Sequence, residues 1–162
     1  MAQKPVEHVK DLLKHFETAM MITHPARGKL HMRPMQIAET GTDGLLRFAT
    51  SLISPKIEEI SVDDQVHLVF QKSSRFLTLE GTAAIENDAK LVDRLWSEAW
   101  RVWFPEGKDD PNICIITVTP TQAEFWDNSG MHGIAYVFNA AKAYIQGKQP
   151  DEDPKAHGKV AM

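Results

Sequence analysis

The stretch Gly41-Thr42-Asp43-Gly44-Leu45-Leu46-Arg47-Phe48-Ala49-Thr50-Ser51-Leu52-Ile53-Ser54-Pro55-Lys56 contains a turn, a strand and a helix start in succession. Gly41 to Gly44 is a hairpin turn, from which Leu45 to Thr50 runs back as a strand. Ser54 stands where a helix N-cap belongs and Pro55 where the first helical residue belongs. Lys56 follows inside the first turn. The join gathers hydroxyls, free backbone amides and a cation at one point. Such a point suits an anion, with phosphate the first candidate. An ordinary capped helix with a solvated lysine carries the same pattern.

Upstream of the turn, His31 to Thr40 reads as the partner strand. Pro34 within it requires an edge, a bulge or a break in the ladder. Before it, Val6, Val9, Leu13 and Phe16 recur at helical spacing, and Thr18 to Thr23 reads as a buried strand. Pro25-Ala26-Arg27-Gly28 is a turn between them.

Downstream, Pro55 to Ile60 makes one or two helical turns. Gln65 to Gln71 alternates as a strand, with Val66, Leu68 and Phe70 on one face. Lys72-Ser73-Ser74 turns the chain into a long strand, Arg75 to Glu86, where Gly81 marks a bulge or sharp bend. Asp88 caps the next helix. Leu91, Leu95, Ala99 and Val102 form one apolar stripe on it, and Val92, Trp96 and Trp103 a neighbouring one, so this helix is expected to pack tightly. After a loop from Phe104 to Pro111, two strands follow, Asn112 to Val118 and Gln122 to Trp126. A last helix spans Asn139 to Gln146. Strands linked by hairpins, with few helices between, give a mainly β (α+β) class: a small antiparallel barrel with helices packed outside. Residues 1–147 make one domain, and the polar segment 148–162 reads as a mobile tail.

Composition narrows the function classes. The chain has 162 residues and a net charge of -4, with no basic run to track a nucleic-acid backbone or an anionic membrane. No apolar stretch has membrane-spanning length, and the N-terminus lacks a signal-peptide core. The single cysteine, Cys114, excludes an intramolecular disulfide, which fits the cytoplasm; it reads as a buried, inert thiol. No histidine pair has metal spacing, and there is no Gly-x-Gly-x-x-Gly run, Walker loop or nucleophile elbow. His31 and His67 read as satisfied polar residues on strands. Arg33 remains: the hairpin carries it toward the mouth that holds Ser54 and Lys56. Two cations and the hydroxyls of Thr50, Ser51 and Ser54 suit a dianionic phosphate.

Several segments resemble the flavin-binding split-barrel proteins related to pyridoxamine 5′-phosphate oxidase, in particular their general stress protein branch. They are His31-Met32-Arg33-Pro34-Met35, the Phe48–Lys56 stretch, Phe76 to Ala83, Trp103-Phe104-Pro105-Glu106-Gly107, Asp110-Pro111 and Glu124-Phe125-Trp126. The resemblance runs from about Val9 to Trp126. It implies a split β-barrel of Greek-key type and a homodimer with flavin mononucleotide (FMN) at the subunit interface. It matches Arg33 to a flavin-contacting arginine. Thr50, Ser54 and Lys56 correspond to the phosphate and ribityl pattern, Ser51 to a backbone contact, and Trp126 to a position near the ring or at a strand end.

The departures bear on the reaction. The oxidases hold substrate phosphate with a lysine where this chain has Ala38. Phe76 and Thr78 replace a glutamine and a second arginine, and the C-terminal arginine-histidine motif has no counterpart. The pattern argues against oxidation of pyridoxamine phosphate. It leaves a flavin-dependent oxidoreductase of unknown substrate, for which a nicotinamide nucleotide can serve as donor, or a non-catalytic FMN reservoir or sensor. Deazaflavin and haem are the alternative ligands for such a barrel.

Overall fold

The computed structural model describes residues 5–149, 153 and 155–162. Helix α1 (Pro5–Leu13) leads into strands β1 (Thr18–Thr23), β2 (His31–Gln36), β3 (Glu39–Thr40) and β4 (Leu46–Ser51). Helix α2 (Pro55–Val62), strands β5 (Gln65–Lys72) and β6 (Arg75–Glu86), helix α3 (Ala89–Leu95) and a 3-10 helix (Glu98–Val102) follow. Strand β7 (Ile113–Asp127), helix α4 (Gly130–Gln146) and strand β8 (His157–Ala161) complete the chain. Among the described residues, no helix is long and apolar enough to cross a membrane.

All strand pairings are antiparallel, in the order β2-β1-β5-β6-β7-β4-β3, with β8 also on β7. The two ends of that order, β2 and β3, are consecutive halves of one chain segment. The Ala38 amide between them already donates to the Arg47 carbonyl of β4 at 2.8 Å. The sheet therefore curls back on itself. Period-two alternation sends Met21, Leu46, Phe48, Val66, Leu68, Phe70, Leu77 and Leu79 inward, all buried. Val9, Leu12 and Leu13 of α1 join that core. The first half of β7 is covered on both faces: Ile116 and Val118 belong to the barrel core, while Ile113 and Ile115 pack under Val92, Trp100 and Phe104. That double cover explains the unbroken apolar run of Ile113 to Ile116.

Most expected strands stand where the sequence puts them, including Pro34 on the end strand β2, opposite Met20. Four expectations need correction. The stripe from Leu91 to Val102 is not one helix. It breaks at Trp96 and Ser97, both out of the helical region with ψ of 135°, and the Ser97 side chain accepts the Ala99 amide. A serine that caps its own following turn competes with helix continuation. The expected tight packing fails at its far end, where Val102 and Trp103 are exposed.

The two strands expected around Thr119-Pro120-Thr121 are one. The register slips between Glu80 and Gly81, so that Gly81 faces Pro120 while Glu80 faces Gln122. Thr121 is accommodated in this bulge, with its hydroxyl donating to the Glu80 carbonyl at 3.1 Å. A Cβ on Gly81 would meet the Thr119 oxygen at 2.5 Å, so only glycine permits the approach.

Helix α4 begins nine residues before the expected Asn139, at Gly130. Finally, the expected tail is in part a strand: β8 pairs Gln122 to Trp126 with Ala161 to His157 and buries Val160. Lys159 and His157 hold Glu124 at 3.4 and 3.0 Å. The physical reason is the length of β7, whose second half extends beyond β4 and offers an open edge. Residues 150–152 and 154 of the expected tail lie outside the described residues.

Candidate functional site

Strand β4 ends at Ser51, and the Leu52 amide ties to the Asn112 carbonyl at 2.7 Å. The chain then turns, with the Ser54 amide on the Ser51 carbonyl at 3.0 Å, and Pro55 opens α2. Ser54 has extended N-cap dihedrals, but its side chain makes no cap hydrogen bond. The hydroxyl instead accepts from Lys56 Nζ at 2.5 Å, and Lys56 Nζ also donates to Thr50 Oγ1 at 3.0 Å. Three of the residues singled out in sequence thus form one knot. Each hydroxyl keeps its own hydrogen free to donate elsewhere.

The knot lies in a cleft of about 480 Å³, within the range of small-molecule sites. Pro34, Met35 and Gln36 of β2 form one wall, and Ala49, Thr50 and Ser51 of β4 form the floor. Ile53, Ser54 and Lys56 close one end, while Trp100, Trp103 and Phe104 supply an aromatic wall. Among the described residues no carboxylate pairs with Lys56. Burial, and next the Arg33 charge, hold its ammonium below the usual lysine value. A half-buried cation under those two pressures favours an incoming anion.

Arg33 stands beside this knot with its guanidinium turned into a second cluster. It donates to Thr23 Oγ1 at 2.5 Å and to Glu59 Oε2 at 2.9 Å. Glu59 is buried and also accepts from Thr23 and from His31 Nδ1. Burial pushes the Glu59 carboxyl up. The hydrogen bonds from Thr23, His31 and Arg33, with the Arg33 charge, outweigh it and hold the group below the usual carboxylate range. His31 is therefore a partnered polar residue. Cys114 faces Thr50 across the ladder, and burial pushes its thiol up to about 11, so it stays protonated at neutral pH.

The structure thus gathers Thr50, Ser51, Ser54 and Lys56 along one cleft and sets Arg33 next to it. It does not bring Trp126 there within one chain. Trp126 lies at the far end of β7, stacked on His157 with ring centroids 5.1 Å apart. The cause is the length of the merged strand, whose other end, Ile113, is the one that pairs with Ser51.

Sequence reasoning missed Glu59, Thr23 and the aromatic wall. Glu59 carried one usable signal: it adjoins Ile60 on the buried side of α2, and a buried carboxylate must find a cation. The partner lies 26 residues away in sequence, so no local pattern names it.

The family model described as "Pyridoxamine 5'-phosphate oxidase like" matches residues 4–151. General stress protein 26 of Bacillus subtilis (strain 168) is 33% identical over 120 residues, covering 70% of this chain and 82% of that protein. A Jannaschia sp. CCS1 structure assigned to general stress protein 26 superposes with a TM-score of 0.74 at 22% identity, covering 96% of this chain and 97% of that one. The general stress FMN/FAD binding protein of Xanthomonas citri superposes with a TM-score of 0.66 at 26% identity, covering 76% of this chain and 89% of that one.

Proposed function

The chain belongs to the pyridoxamine 5′-phosphate oxidase-like family, and from that membership we propose that its cleft binds FMN and that the protein is a flavin-dependent oxidoreductase. The observation that carries this reading is the Lys56 ammonium, half-buried, held by Thr50 and Ser54 and, among the described residues, in no ion pair with a carboxylate. Among the described residues no carboxylate reaches ion-pair distance of it, and the nearby Glu59 charge is taken up by Arg33, Thr23 and His31. The Xanthomonas citri relative is described as binding FMN or FAD, which supports a flavin as the source of an anion for this site.

Lys56 neutralises the phosphate in this reading, and the Thr50 and Ser54 hydroxyls donate to its oxygens. Ser51 contributes through its backbone. Arg33, its guanidinium held by Thr23 and Glu59 beside the cleft, adds its positive charge to the anion site and offers the N–H groups those contacts leave over. The walls formed by Trp100, Trp103 and Phe104 keep water from an aromatic ring system. A bound flavin supplies hydride or single-electron chemistry. Within the cleft lining there is no carboxylate or imidazole, so the side chains bind and orient rather than move protons. We assign the chain to a homodimer with FMN at the subunit interface. A nicotinamide nucleotide is the first donor to try.

The cleft lining offers no second cation beside Lys56, which argues against a phosphorylated substrate such as pyridoxamine phosphate. The same observation favours a second reading, in which FMN is held without turnover as a reservoir or sensor. The visible spectrum of the purified protein tests the cofactor and separates flavin from deazaflavin and haem. Anaerobic titration with NADH and NADPH then tests the reaction. Bleaching of the flavin band supports the oxidoreductase. Tightly bound flavin that no common donor reduces supports the reservoir. Colourless protein that gains no thermal protection from FMN overturns both.

A further inference from the structure

Beside the cleft lies a charged cluster that the binding role of Lys56 does not require. Thr23 stands opposite His31 in the β1–β2 ladder, and Arg33 is two residues further along β2, so the three side chains share one face of the sheet. Helix α2 sets Glu59 among them. Both arms of the Arg33 fork are engaged within the chain: one terminal nitrogen donates to Thr23 Oγ1 at 2.5 Å and the other to Glu59 Oε2 at 2.9 Å. Thr23 gives its own hydrogen to that same carboxylate oxygen, and His31 Nδ1 meets the other one. A hydroxyl and a carboxylate oxygen thus occupy the fork as an external oxyanion would.

Fold stability does not demand such a cluster. Exchanging a buried ion pair for apolar side chains of similar volume is often neutral or stabilising. Glu59 and Thr23 are 7% and 0% exposed, an ordinary place for apolar residues. The charge also acts at the cleft. Glu59 follows Lys56 by three residues on α2, so the two lie one turn apart on the same side of the helix. The charges of Arg33 and Glu59 both reach the Lys56 ammonium, with opposite effects. Lys56, Arg33 and Glu59 therefore act as a unit of net charge +1, where the two cations alone would give +2. A phosphomonoester carries about -1.5 to -2 at pH 7.

We propose that Glu59 is a positioning residue that restrains the anion site: it ties the Arg33 guanidinium to Thr23, offsets its charge, and so keeps a bound phosphate more weakly held than the two cations would hold it. The inference rests on the FMN reading for the identity of the ligand, and deepens it by assigning what limits the affinity.

The test measures FMN and riboflavin affinity of the full chain by fluorescence quenching at pH 7. The ratio of the two, which isolates the phosphate, should follow the charge of the site. Glu59→Gln keeps the side-chain shape and removes the charge; it should raise the ratio about tenfold although it destabilises the fold. Glu59→Asp keeps the charge and should raise the ratio less than about twofold. Arg33→Gln should lower it about tenfold. Arg33→Gln/Glu59→Gln removes the pair together and should return it to within about threefold of wild type. Steps of this order are what unit charges several ångströms from a phosphate produce near a protein surface. They should shrink in 1 M salt, where the screening length is about 3 Å. A merely structural Glu59 gives the reverse: no gain in Glu59→Gln, and a double variant no better than Arg33→Gln. Either result overturns the proposal, and so does an equal gain in Glu59→Asp. If Glu59→Gln does not fold, the double variant compared with Arg33→Gln and wild type still decides. Thermal protection by inorganic phosphate separates this inference from the cofactor reading. In protein that binds no FMN, phosphate protection that is larger in Glu59→Gln than in wild type and absent in Lys56→Ala keeps the role of Glu59 and discards FMN. Equal protection overturns that role, and protein protected by neither FMN nor phosphate overturns both.

Discussion

Replacing Lys56 by alanine separates the phosphate from the rest of a flavin. Among the described residues its ammonium touches two hydroxyls and no carboxylate, so a bound phosphate would be its main charged partner. Two unit charges about 4 Å apart attract by about 4 kcal/mol at an effective dielectric of about 20. Part of that is lost to desolvation of both ions, which leaves roughly 1.5–3 kcal/mol, the usual range for a charge-assisted hydrogen bond. FMN affinity should therefore fall about ten- to a hundredfold, and riboflavin affinity by less than about twofold. Fluorescence quenching of each ligand on titration with apoprotein measures both. The sign of the apoprotein effect is a second check. Burial and the Arg33 charge depress the Lys56 pKa, so its protonated form opposes folding at neutral pH. The alanine variant should melt no lower than wild type without ligand, yet gain less from FMN. Equal losses for FMN and riboflavin would refute the argument, and so would a gain from FMN as large as wild type's.

Wild-type preference for FMN over riboflavin should decline as pH rises through the depressed Lys56 value, below 10.5, because bound phosphate favours the protonated amine; ligand titrations from pH 7 to 10 read this. Glu59→Gln should cost roughly 1.5–3 kcal/mol in urea unfolding at pH 7, since three partners lose their charged acceptor. The Glu59 carboxyl is depressed, so its contribution is present above its ordinary value of 4.5 and lost as pH falls through the folded value; the variant should show a flatter acid limb in thermal melts. Arg33→Lys should recover only part of the FMN affinity lost in Arg33→Ala, because an ammonium cannot bridge Thr23 and Glu59 as the guanidinium fork does. Gly81→Ala should cost about 1–3 kcal/mol in urea unfolding, as its methyl group meets the Thr119 carbonyl.

The barrel was legible because its strands alternate and its turns carry glycine, as at Gly44 with φ of 85°. The anion knot was legible for a similar reason: Thr50, Ser54 and Lys56 are local, and strand-to-helix geometry alone brings them together. What stayed hidden depends on contacts distant in sequence. Nothing near Glu59 announces Arg33 as its partner. The bulge that carries β7 through Pro120 depends on Gly81 in another strand. Strand β8 has little apolar periodicity, and forms because β7 outruns β4. The α3 stripe misled because periodicity does not register a serine that caps itself.

Pro34, which walls the cleft, also has a consequence for the behaviour of the folded chain in concentrated solution. Strand β2 has β1 as its ladder neighbour, with Pro34 opposite Met20. A residue without an amide hydrogen fits where no bond to β1 is required, so its nitrogen points to the outer side of β2. On that side, the donor row that a foreign strand would need is interrupted midway. The wall of the cleft thereby also makes the outer edge of β2 a poor template for an added strand.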